Sequence, residues 1–201
     1  MLLDLGLFIL RLMLGLTFMG HGSQKLFGWF KGGGWKGTQK MVAGMGSRPV
    51  WFWALLSGLS EFGGGLLLVL GLLSPIGSLG IIAAMSIAVF KVHWRSGFWV
   101  TNHGIEYPLT NLVAALTFAL AGPGHFSLDA LFGLALPEPL ALVIGLVLVA
   151  IGLFAQDLSK KKLTGAAILG WPGQPALINL PGGGCQPAAM ERTPWQKLKR
   201  F

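Results

Sequence analysis

The stretch DLGLFILRLMLGLTFMGHGSQKLF, residues 4–27, decides the class of this chain. Between Asp4 and Lys25 its only formal charge is Arg11. As an α-helix it would extend about 36 Å, more than the roughly 30 Å of a bilayer's hydrocarbon core. Four further apolar segments follow, over about 50–73, 76–93, 107–121 and 137–155. Ser74-Pro75 breaks the second from the third, because proline cannot continue a helix, and so predicts a tight hairpin. The segment at 107–121 is the weakest of the five, being short and carrying Thr110, Asn111 and Thr117. The last begins near Pro137 and Pro139, where proline suits a helix start.

Composition agrees with this reading. Of 201 residues, 53% are apolar and 11% charged, against the roughly 25% charged of soluble domains. Such a chain cannot cover a water-facing surface, which excludes a soluble enzyme, a disordered tail and a fibrous protein. The formal charge of +8 would suggest nucleic acid in a soluble protein, but here the cations flank apolar segments, so no nucleic-acid partner is expected. The lone Cys185 excludes an internal disulfide or a two-cysteine relay. A cleavable signal peptide is not expected, since no cation precedes the first apolar run and no A-x-A site follows it.

The cations also predict topology. In a five-span arrangement, fourteen of the fifteen Lys and Arg fall on one side: Lys25 to Arg48 after span one, Lys91 and Arg95 after span three, and the rest after span five. The fifteenth is Arg11. The positive-inside rule then predicts a periplasmic N-terminus and a cytosolic C-terminus. The first cytosolic loop, with Trp29, Phe30, Trp35 and several lysines, reads as an interfacial segment against anionic lipid. From Gln156 the composition shifts to Gly, Pro and charge. Trp171, Trp195 and the prolines of this basic tail are expected to pack against neighbouring membrane subunits or the cytosolic loops, because the tail carries too little apolar surface to order itself.

Ionisable groups inside a bilayer cost several kcal/mol, so each asks for a partner or a function. Glu61 lies in the stripe Ala54, Ser57, Gly58, Glu61, Gly65, whose small residues let another helix approach closely. Arg11 shares a face with Gly15 and Gly22. Depths differing by about 8 Å lead to the expectation of a buried ion pair between Arg11 and Glu61, with Asp4 as a competing partner for the arginine. Gly63-Gly64-Gly65 lies within an apolar helix and reads as helix packing rather than a phosphate loop.

A second set converges on the cytosolic interface: His21, Gln24 and Lys25 at the end of span one, Lys91 and His93 at the end of span three, then His103, Glu106 and Tyr107. Histidine and glutamate can bind metal or haem, or move protons near neutral pH. No HExxH or other tight ligand pair is present, and no metal is expected. Two readings stay open: polar caps on helix ends, or a quinone headgroup site in which His or Lys donates to a carbonyl and the bundle receives the apolar tail.

Several pieces, in order, resemble the DoxX family of small bacterial membrane proteins. They are Arg11 with His21-Gly22-Ser23-Gln24-Lys25-Leu26-Phe27-Gly28, Glu61-Phe62-Gly63-Gly64 through Gly71-Leu72-Leu73, Val92-His93, Gly97-Phe98, Glu106-Tyr107-Pro108-Leu109, and Gly122-Pro123-Gly124 through Ser127-Leu128-Asp129. The resemblance implies an all-α membrane protein with a four-helix core over residues 1–135. To this the chain adds a fifth transmembrane helix at 136–158 and a basic Gly/Pro-rich cytosolic tail at 159–201. It also implies association with redox complexes, relatives resembling the membrane subunit of thiosulfate:quinone oxidoreductase. The expected function is therefore an integral subunit of a bacterial inner-membrane redox complex, anchoring it or shaping a quinone site. The alternative is a quinone-reducing membrane oxidoreductase in its own right. With its only cysteine in the tail, direct sulfur transfer is disfavoured.

Overall fold

The computed structural model describes residues 1–134 and 139–160, and the backbone of 177–179 and 185–187. The chain divides into two compact units, Met1–Lys161 and Lys162–Phe201. In the second, strands β1 (Leu177–Asn179) and β2 (Cys185–Pro187) pair antiparallel, with Ile178 opposite Gln186. Trp171 and Trp195 lie outside the described residues.

The first unit is built from α1 (Leu2–Leu26), α2 (Gly34–Gly44), α3 (Val50–Leu70), α4 (Ile76–Ile87), α5 (Glu106–Ala121), the short α6 (Leu128–Phe132) and α7 (Leu140–Leu158). Helix α4 runs on without a break into a π-helical segment, Ala88–His93, and a 3-10 turn, Trp94–Ser96. Among the described residues, four helical stretches are long and apolar enough to cross a membrane: Leu2–Leu26, Val50–Leu70, Ile76–Ser96 and Leu140–Leu158. This is a helical membrane bundle, as the resemblance implied.

Two departures from the sequence reading stand out. The first is α2, where only an interfacial loop is expected. It forms because its inner face has partners: Thr38 is buried and donates to the Lys25 carbonyl (2.9 Å), and Val42 packs with Trp53 and Ala54. The second is α5, counted as a span from the sequence, which at 16 residues is not among the stretches long enough to cross a membrane. It nonetheless packs on α4 and meets α1 at its first turn, and the segment beyond its C-terminus meets the other half of α1. Tyr107 lies at His21, Pro123 and Phe126 lie at Arg11, and His125 lies at Asp4. Its polar residues donate to their own helix, Thr110 to the Glu106 carbonyl, Asn111 to Tyr107 and Thr117 to Val113. Those internal bonds let a polar side chain sit on an apolar helix without leaving a donor unmet.

Close approach between α1 and α3 sets the frame. A Cβ on Gly65 would lie 2.6 Å from the Gly15 carbonyl oxygen, and one on Gly15 2.8 Å from that of Gly65. Glycine therefore permits this backbone separation, the device by which membrane helices gain packing without a hydrophobic driving force between them. Phe18, Leu68, Ile81 and Phe118 fill the interior between α1, α3, α4 and α5. Helix α7 packs on α4 through Leu142 and through Gly145, which receives the Leu79 side chain. Its opposite face, including Val143, Val147, Ile151 and Phe154, is exposed, as suits contact with lipid tails.

Candidate functional site

The bundle holds two buried charged centres, one toward each end of α1. Toward the Asp4 end, Arg11 is 1% exposed. Its two terminal nitrogens donate to the carbonyls of Pro123 and Phe126, in the segment after α5. Asp129 is also buried, and its two carboxylate oxygens accept from the backbone amides of Leu73 and Ser74, both 2.9 Å. The Asp129 amide in turn donates to the Gly71 carbonyl (3.0 Å). Gly71 ends α3 in the left-handed region at φ 61°, and a Cβ there would strike the Arg11 guanidinium. The segment after α5 thus folds inward to neutralise the arginine and to cap the α3–α4 hairpin. The arrangement leaves a pocket of about 10 Å³ beside Arg11, room for a single water.

At the other end, Lys25 Nζ lies 2.6 Å from Glu61 Oε1 and 2.9 Å from Ser57 Oγ. The Glu61 side chain is 5% exposed and that of Lys25 25%, so the pair runs from the interior to the bundle surface. Among the described residues, no donor reaches the buried Glu61 Oε2. Lysine comes from the last turn of α1, while serine and glutamate stand one turn apart on α3. The approach of α1 to α3, where Gly22 lies on the Phe62 backbone and Gly58 on the Leu26 side chain, brings them together.

The expected Arg11–Glu61 pair is therefore not formed. Helix register is the reason. Gly71, not Glu61, lies against Arg11, and ten residues of helix separate Gly71 from Glu61, about 15 Å. Asp4 is not the arginine's partner either, since it accepts from His125 Nδ1 at 2.9 Å.

The remaining candidates share one end of the bundle but split into separate groups. His21 Nε2 and Tyr107 Oη lie 3.4 Å apart between α1 and α5. Gln24 makes a long bond of 3.4 Å to the Phe30 carbonyl. His93 Nδ1 donates to the His103 carbonyl (2.6 Å), and Glu106 accepts from the Val100 amide (2.9 Å). These last two order the 97–106 loop. Among the described residues, no hydrogen bond or ion pair joins these groups into one site. Of the interfacial candidates, Lys25 joins a centre built on Glu61, a residue from the other predicted set, and Lys91 pairs with Asp157 on α7. Asp129 and Gln156 were assigned no role from sequence. The available signal for Asp129 was its place at the close of the resembling piece Gly122–Asp129. Gln156, 3% exposed, offered none.

Helix lengths, a lipid-compatible surface and charges turned inward define a multi-pass helical membrane protein. The DoxX family model matches residues 6–94, which include Arg11, Lys25, Ser57 and Glu61. Inner membrane protein YqjF of Escherichia coli is 30% identical over 128 residues, covering 64% of this chain and 92% of that protein. An uncharacterised protein of Haemophilus influenzae is 34% identical over 65 residues, 32% of this chain and 43% of that one. The chain belongs to the DoxX family. No solved structure matches it.

Proposed function

We propose that this chain is an integral subunit of a bacterial inner-membrane redox complex and contributes a quinone headgroup site at the end of the bundle that carries Lys25. The observation that supports this is the Lys25–Ser57–Glu61 centre, where an ammonium reaches from the surface to a buried carboxylate with one oxygen still lacking a donor. A quinone carbonyl needs a donor at the interface, and its tail needs hydrocarbon beside it. Lys25 is the donor, with His21 one turn away on α1. Lipid alongside the bundle supplies the hydrocarbon. The Arg11 centre also holds an atom without a partner among the described residues, Nε, but it is the poorer candidate because the side chain is 1% exposed and both terminal nitrogens are engaged by backbone carbonyls.

In this reading α5 completes the crossing despite its length, which puts the N-terminus in the periplasm. Lys25, the 97–106 loop and the tail then lie in the cytosol, where the tail meets partner subunits and the loop cations meet anionic lipid. The test is native purification in a gentle detergent, with mass spectrometry of co-purifying proteins and extracted quinone. Partner subunits and near-stoichiometric quinone are expected, with quinone lost from the double variant Lys25→Met/Glu61→Leu, which removes the donor without leaving a lone buried carboxylate and so keeps its folded yield. An isolated chain without quinone overturns the reading.

A further inference from the structure

The π-helical segment Ala88–His93 is not required by the site just described, yet it aims two side chains at different parts of the molecule. Lys91 points to α7, where Nζ donates to the Leu153 carbonyl (3.0 Å) and to Gln156 Oε1 (3.0 Å) and pairs with Asp157 (3.1 Å). Two residues on, His93 donates to the His103 carbonyl. A π-turn holds one residue more than an α-turn, which rotates the residues beyond it by about 100° relative to α-helical register. Its hydrogen bonding is less favourable, so an isolated helix relaxes to α. Something must hold the wider turn open, and three polar contacts on one ammonium are the available restraint. Gln156 is buried at the receiving end, so its amide depends on that ammonium as much as the reverse.

We infer that Lys91 is a clasp coupling α7 to the 97–106 loop: docking of α7 on Lys91 holds the π-turn, and the π-turn holds His93 on the loop. The loop closes through Ile105 N to Gly97 O (3.0 Å) and Glu106 N to Phe98 O (2.9 Å), and His93 ties that closed form to the end of α4. Helix α7 lies beyond the matched residues 6–94, whereas Lys91 and His93 lie within them. A helix outside the matched segment thereby sets the conformation of the loop that follows that segment. Because coupling between two sites is reciprocal, releasing the loop must also loosen the Leu153–Lys160 end of α7.

Hydrogen exchange of the full chain in lipid nanodiscs tests this. Lys91→Met should speed exchange of amides 97–106 roughly tenfold, the ratio sustained by one charge-assisted bond, with α1 and α3 unchanged. Lys91→Arg should restore most of the protection. His93→Ala supplies the reciprocal arm and should speed exchange at residues 153–160. Faster exchange confined to α7 in Lys91→Met, or to the loop in His93→Ala, overturns the coupling. If Lys91→Met fails to fold, Gln156→Leu takes its place with the same two outcomes.

Discussion

The two buried centres handle charge in opposite ways. Arg11 is surrounded by backbone: two carbonyls accept from it, Gly71 packs against it, and Asp129, the neighbouring acid, spends both oxygens on the α3–α4 turn. Lys25 and Glu61 meet as side chains from two helices, one partly exposed and the other with an oxygen lacking a donor. A centre wrapped in backbone cannot give up its partners without unfolding a loop. A side-chain pair can exchange one partner for a ligand by a rotamer change. In the proposed function, the difference separates a structural charge from one that takes part in recognition.

The comparison breaks first at Arg11. Arg11→Met should leave the Pro123 and Phe126 carbonyls without their donor and the buried Asp129 without a nearby positive charge, at a cost of about 4 kcal/mol. Folded yield and thermal unfolding in detergent would read the loss, and a fully folded variant would show the arginine is not what holds the segment after α5. Lys25→Met comes next. Glu61 is then a lone buried carboxylate, at a cost of about 3 kcal/mol, and adding Glu61→Leu should restore most of it. Failure of the double variant to recover would mean that the pair is not the unit.

The shared frame can be tested by Gly65→Ala, which sets a methyl against the Gly15 carbonyl. Overpacking of about 2 kcal/mol is expected, with both centres loosened together, since both depend on the α1–α3 approach. Loosening at only one end would make them independent. The smallest effect is expected from Ser57→Ala. Losing one of two acceptors on a partly exposed ammonium should lower stability by about 1 kcal/mol. In the proposed function it should weaken quinone retention more than it weakens folding.

Much of this was readable from the chain. The apolar runs place the helices within a few residues, because crossing hydrocarbon demands an uninterrupted apolar length and each break is marked by Pro, Gly or charge. The small-residue stripe on α3 correctly puts Glu61 inside. What was not readable was helix α2, whose 11 residues carry no long apolar run and depend on Val42 and Thr38 finding partners on α3 and α1. The clasp was equally hidden, since nothing in residues 88–93 marks a π-turn before α7 docks.

By itself, the sequence determined that this chain is a helical membrane protein, where its long apolar helices run and which charges cannot face lipid. Each of these follows from the cost of taking a polar group into hydrocarbon, a property of composition along a single segment. Which charge meets which partner was decided only by tertiary structure. A helix offers a new face every 100° and a new depth every 1.5 Å, so pairing depends on the register between helices. Here the glycine contacts between α1 and α3 set that register, giving Glu61 to Lys25 and leaving Arg11 to the backbone.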